Sequence, residues 1–263
     1  MNLKRHWNET EGLEKIYETK NSACHLMEVY GLKLTAGGTF EGETGETEYG
    51  VTVLTGTAAF CGEGFAFEKV GERKNVFEGR ASAVYIPRRT RFTVKADTDF
   101  RAIVTACPAG KDFAPYVIRP EDVVVKTFGK PGFQREVHFI MDERFEGNRV
   151  YIGENRIRGN EWTGFPGHKH DVNAPDGKEI FAEEIYYYEF DKPTGYGIQQ
   201  VYTADRAIDE AFTTRNGDLV EIPKGYHPGT VAPGYVGYLL WLMSCDTRAL
   251  ISTQDPDQAW QAK

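Results

Sequence analysis

Residues 167–228 carry the side chains best suited to chemistry. They open with a His-x-His pair, His168 and His170, and continue through the acidic-aromatic run Glu183-Glu184-Ile185-Tyr186-Tyr187-Tyr188. They close with His227, in Ile222-Pro223-Lys224-Gly225-Tyr226-His227. Three imidazoles and one carboxylate form a donor set for a divalent first-row transition metal ion. The donor types do not select the element, because zinc, manganese and iron all accept them.

Ligands this far apart in the chain need a scaffold that brings them together. On a strand, residues i and i+2 face the same side. His168 and His170 therefore project to one face. Glu184 shares its face with Tyr186 and Tyr188, and Glu183 takes the opposite one. His227, after a turn at Gly225, returns from a third strand. Residues 49–55, 81–86, 100–106, 184–190 and 235–243 are rich in Val, Ile, Tyr and Phe, the composition of strands. Gly-Asn, Asn-Gly and Pro-Gly pairs punctuate them, which predicts an all-β sandwich or barrel.

The chain also echoes itself. Tyr85-Ile86-Pro87-Arg88 lines up with Glu221-Ile222-Pro223-Lys224, about half a chain length away. In both copies a proline ends the strand because it cannot donate to the ladder. The repeat predicts two β-barrels in tandem, residues 1–125 and 126–263, joined by a linker around residues 120–134. In the first copy Arg91 stands where the second has His227, and no His-x-His precedes it. The metal ligands thus belong to the second barrel.

Bulk properties narrow the partners. A net charge of -8 argues against nucleic acid and anionic membranes, which need clustered Lys and Arg. No apolar run approaches the ~20 residues that span a bilayer. Residues 1–7 show no apolar signal segment. The four cysteines are far apart and form no Cys-x-x-Cys pair, the pattern of reduced thiols in a cytoplasmic protein.

These motifs resemble those of the cupin superfamily. Trp162-Thr163-Gly164-Phe165-Pro166-Gly167-His168-Lys169-His170-Asp171, Glu183-Glu184-Ile185-Tyr186-Tyr187-Tyr188, Gln199-Gln200-Val201-Tyr202-Thr203, Gly225-Tyr226-His227-Pro228 and the closing Asp255-Pro256 and Trp260 resemble its 5-deoxy-glucuronate isomerase branch. That branch comprises the bicupin isomerases of myo-inositol catabolism, related to 5-keto-4-deoxyuronate isomerase. Gly167 stands where the branch would have a second proline. The resemblance implies two cupin barrels, a homo-oligomer and one divalent metal ion on His168, His170, a glutamate and His227. By analogy with the related isomerase the glutamate is Glu184, with Glu179 and Glu183 as the alternatives. The activity implied is conversion of 5-deoxy-D-glucuronate to 2-deoxy-5-keto-D-gluconate.

Such an isomerase needs a group that moves a proton between carbons, and Glu183, Asp171 and Tyr186 are the candidates. It also needs a cation or hydrogen-bond donor for the sugar-acid carboxylate, for which Arg156, Lys169 and Tyr226 are the candidates, and Arg158 a weaker one. Two other readings share the ligand set: a cupin dioxygenase, and a non-catalytic sugar-acid-binding bicupin. An isomerase of 4-deoxy-5-keto-uronates would have a shorter segment than residues 171–182 between the His pair and the glutamate.

Overall fold

A computed structural model describes residues 2–262. Almost every element is an antiparallel strand, as the short apolar runs and turn pairs dictate. The first half builds a six-stranded sheet in the order Tyr116–Ile118, Ala83–Ile86, Thr47–Thr55, Phe100–Pro108, Glu28–Leu34, Gly12–Tyr17. A four-stranded sheet faces it: Thr39–Glu43, Arg91–Ala96, Ala58–Gly62, Phe65–Val70. The second half repeats the plan. Its large sheet runs Lys4–His6, Asp218–Ile222, Ala182–Phe190, Val236–Cys245, Val150–Arg158, Arg135–Met141, Val124–Phe128. Its small sheet runs Trp162–Thr163, Gly229–Val231, Gly197–Tyr202, Asp209–Thr214. No helix among the described residues is long and apolar enough to cross a membrane.

The sequence echo is a structural duplication. Tyr49 pairs with Ile86 in the first barrel, and Glu184 pairs with Ile222 in the second. The first barrel therefore has a tyrosine where the second has its acidic candidate. Arg91 lies at the surface, with Nε 3.4 Å from Glu43. At these positions the first barrel thus lacks the carboxylate and the imidazole that the second presents.

Strands of the two large sheets are buried on both faces, so they read as near-continuous apolar runs. Leu239, Trp241 and Met243 point into the second barrel, while Tyr238, Leu240 and Leu242 join Trp7, Ile103, Val150 and Ile152 in a core between the barrels. Gly50 is required there, because a Cβ would lie 2.7 Å from Ile152 Cδ1 and 2.8 Å from Val150 Cγ1.

Buried carboxylates tie the barrels together. Glu48, from the first, accepts the backbone N–H groups of Asn148, Arg149 and Val150 at 2.6–2.9 Å. Glu183, its counterpart in the second, accepts those of His25 and Leu26 at 2.7 Å. Glu154 receives Arg73 Nη1 at 2.9 Å, with both side chains inaccessible to solvent.

Two boundaries differ from expectation. Val124–Phe128 and Arg135–Met141 form a hairpin of the second barrel, so the connection shrinks to residues 119–123 and residue 125 lies inside a strand. Lys4–His6 pairs with the second barrel's Asp218–Ile222 strand. The chain thus starts in one barrel, builds the other, and returns.

Candidate functional site

The second barrel brings its three histidines to one point. The ligand-capable nitrogens of His168, His170 and His227 all lie within 4.8 Å of one another. His168 and His170 come from the short strand His168–Lys169 and the residue after it, pinned by pairing with Thr253–Gln254. His227 follows Gly225, whose φ of +89° suits glycine. A Cβ there would lie 2.4 Å from the Tyr202 carbonyl oxygen.

The protons of two imidazoles are already committed. His170 Nδ1 is 2.8 Å from the Ala182 carbonyl, and His227 Nδ1 is 2.9 Å from that of Gly225. A carbonyl only accepts, so each Nδ1 carries the proton and each Nε2 is left with its lone pair. Both Nε2 atoms face Glu184 Oε2, at 3.1 Å from His170 and 3.2 Å from His227. His227 Nε2 is buried and makes no hydrogen bond. Lone pairs and a carboxylate that converge in this way repel unless a cation lies between them, either a metal ion or a proton; burial opposes a charge on His170, but Glu184 outweighs it and raises that ring's pKa. The donor set therefore fits a metal ion, with the outer-atom hydrogen bonds that metal-binding imidazoles usually have.

Electrostatics agree. Burial, followed by the neighbouring imidazoles His227 and His170, pulls His168 well below its ordinary pKa and keeps it neutral. Burial alone would raise the Glu184 carboxyl, but the adjacent His170 and His227 rings outweigh this and hold it at about 2, so it is a carboxylate.

Beside the cluster lies a cavity of about 190 Å³, lined by His168, Glu184, Tyr186, Arg135, Asn155 and a wall of aromatic and apolar side chains including Phe139, Phe165 and Trp241. That is below the ~300–1,000 Å³ typical of sites for drug-sized ligands, which suits a small molecule. Burial holds the Tyr186 phenol well above its ordinary pKa, so it is a proton donor at neutral pH.

Of the residues singled out from sequence, His168, His170, His227, Glu184 and Tyr186 meet here. The others do not. Glu183 faces the first barrel and accepts His25 and Leu26, so its candidacy as catalyst or ligand is corrected. Lys169 and Asp171 lie on the reverse of the His-x-His segment. Lys169 Nζ donates to Asp171 and to Glu179, at 2.6 and 2.7 Å. Asp171 also accepts the Gly225 N–H at 2.9 Å. This ion-paired group, Glu179 included, props the turn before His227 and does not reach the cavity. Arg156 points away from the cavity and donates to the Val76 and Gly79 carbonyls, because the inward residue of that strand is Asn155. Tyr226 packs on Tyr202, with ring centroids 5.2 Å apart, and does not line the cavity.

Sequence reasoning missed Arg135. It shares strand parity with Val137 and Phe139, and all three face the cavity. The signal was alternation in residues 135–139, hidden by their place at the expected linker. Gly167, where a proline would match the resemblance, donates its N–H to Gln258 Oε1 at 2.7 Å, which a proline could not do.

Comparison with known proteins gives relatives that span the whole chain. Residues 3–261 match the KduI/IolB family. The chain is 34% identical over 256 residues to the 5-deoxy-glucuronate isomerase of Bacillus licheniformis, covering 95% of this chain and 94% of that one. It is 35% identical over 236 residues to the enzyme of the same name from Geobacillus thermodenitrificans, covering 89% and 85%. Among solved structures, an IolB-like protein from Salmonella typhimurium superposes with a TM-score of 0.95 at 30% identity over the full length of both chains. The oxalate decarboxylase of Lactobacillus farciminis superposes at 0.67 with 11% identity, covering 100% and 93%, a likeness of fold.

Proposed function

The chain belongs to the KduI/IolB family, and on that premise we propose that it is an aldose–ketose isomerase that converts 5-deoxy-D-glucuronate to 2-deoxy-5-keto-D-gluconate. The observation that carries the reading is similarity across 95% of the chain to a 5-deoxy-glucuronate isomerase, joined to a cavity lined by His168 and Glu184 of the three-histidine, one-glutamate cluster.

In this reaction C2 loses a proton and C1 gains one, while the C1 carbonyl oxygen gains a proton and the C2 hydroxyl gives one up. His168, His170, Glu184 and His227 would hold one divalent ion, zinc, manganese or iron, and a bound ion of this kind supplies Lewis acidity to adjacent substrate oxygens. Tyr186 carries its proton at Oη on the cavity wall, where it serves to donate to the carbonyl oxygen. Trp241 and Phe139 keep bulk water from the reacting carbons. The protein works in the cytoplasm as a homo-oligomer on a small sugar acid, with neither nucleic acid nor membrane as partner; its acidic net charge supports the absence of those last two partners.

The test is to supply 5-deoxy-D-glucuronate to metal-loaded protein and follow loss of the aldose by NMR, then repeat after chelation. Turnover that stops on chelation and returns with metal is expected. No turnover by metal-loaded protein overturns the assignment.

A further inference from the structure

The cavity holds an arginine with no partner of its own. Arg135 opens the strand Arg135–Met141 and lines the same wall as Tyr186, Glu184 and His168. Other arginines of the second barrel and its seam are engaged, and Arg158 is exposed and does not line this cavity. Arg156 donates to two carbonyls, Arg144 pairs with Asp142, and Arg73 pairs with Glu154. Arg135 forms no ion pair and no side-chain hydrogen bond among the described residues, and its guanidinium stands over the Phe128 ring, 6.0 Å from the centroid. Its neighbour Glu136 faces the other side of the strand, where its carboxylate meets His138.

A guanidinium that lines a cavity of mixed polar and aromatic walls, and that forms no ion pair with the Glu184 carboxylate on the same wall, is a binding element awaiting an anion. Its rigid fork suits a planar carboxylate bidentately. Arg135 lines one cavity with His168 and Glu184 of the cluster, so a short sugar chain can present its carboxylate to the first and its carbonyl end to the others.

We propose that Arg135 anchors the substrate's carboxylate and selects sugar acids over neutral sugars. This rests on the isomerase reading for the identity of the acid, but the anchoring itself is testable without turnover.

The experiment is equilibrium dialysis of metal-loaded protein against labelled 5-deoxy-D-glucuronate and against its analogue with the carboxylate reduced to a hydroxymethyl group. Binding is read whether or not isomerisation occurs, because substrate and product carry the same carboxylate. The wild type is expected to bind the acid about ten- to a hundredfold more tightly than the alcohol. Arg135→Met should remove that preference with metal content unchanged, and Arg135→Lys should restore part of it. Arg156→Met should leave the preference as it was. A preference retained in Arg135→Met, lost in Arg156→Met, or absent from the wild type would overturn the proposal. If Arg135→Met fails to fold, Arg135→Lys and the wild-type ratio still decide. Failure of the isomerase reading would show separately, as absent turnover with acid selectivity intact.

Discussion

Glu183 and Glu184 are adjacent in the chain, yet their carboxylates serve opposite faces of one strand. Glu184 Oε2 lies 3.1 Å from His170 Nε2, whereas Glu183 Oε2 accepts the Leu26 N–H at 2.7 Å. One faces the candidate metal centre and the other fastens the second barrel to the first. Glu184→Gln should therefore lose metal and activity with little change in melting temperature. Glu183→Ala should keep its metal and lose about 1–3 kcal/mol of stability, since two part-buried N–H groups lose their acceptor. Metal analysis and denaturant titration of both variants check this.

The turn before His227 is the second point of leverage. Gly225 has φ +89° and no room for a Cβ, and its carbonyl faces His227 Nδ1. Gly225→Ala should weaken metal affinity about ten- to a hundredfold, the usual effect of disturbing a ligand's outer hydrogen bond. Asp171→Asn should act in the same direction but less. Competition with a chromogenic chelator measures both.

Much of this was readable from the sequence, for physical reasons. The candidate ligand histidines stood out because strand alternation and a glycine turn are local rules; parity put Glu183 and Glu184 on opposite faces, and the family resemblance chose between them. Parity also made Arg156 and Arg158 equivalent, but it gave no indication of which face was inward; packing of Asn155 against Thr163 and Trp241 decides that. Arg135 was hidden because it sits at the edge of the expected linker, and the crossover strand Lys4–His6 because it depends on pairing with a distant partner. A three-residue strand has no periodicity to detect.

The buried Arg73–Glu154 pair makes stability depend on pH. Burial pushes the Glu154 carboxyl up, but Arg73, His138 and Tyr238 outweigh it and hold it at about 2, against an ordinary 4.5. A carboxyl depressed on folding contributes stability that is complete above its unfolded pKa. That contribution is lost as pH falls from about 4.5 toward about 2. The melting temperature should drop across this window, and less so in an Arg73→Met/Glu154→Met double variant. Arg73→Met alone should cost about 3–5 kcal/mol, because it strands a buried carboxylate. Thermal melts at stepped pH read both effects.

Metal itself should stabilise the second barrel. An ion at a hundred times its dissociation constant adds about 2.7 kcal/mol to the folded state. Chelation should lower the melting temperature of the wild type, and should leave that of a His168→Ala/His227→Ala variant unmoved. Calorimetry with and without chelator makes the comparison.

The most direct measurement is an anomalous-difference map from crystals of metal-loaded protein, recorded at the absorption edge of the bound element. A single peak about 2.0–2.2 Å from nitrogens of His168, His170 and His227 and from an oxygen of Glu184 is the predicted result. A peak held by Glu179 or Glu183 instead, or no peak within the second barrel, would contradict the account.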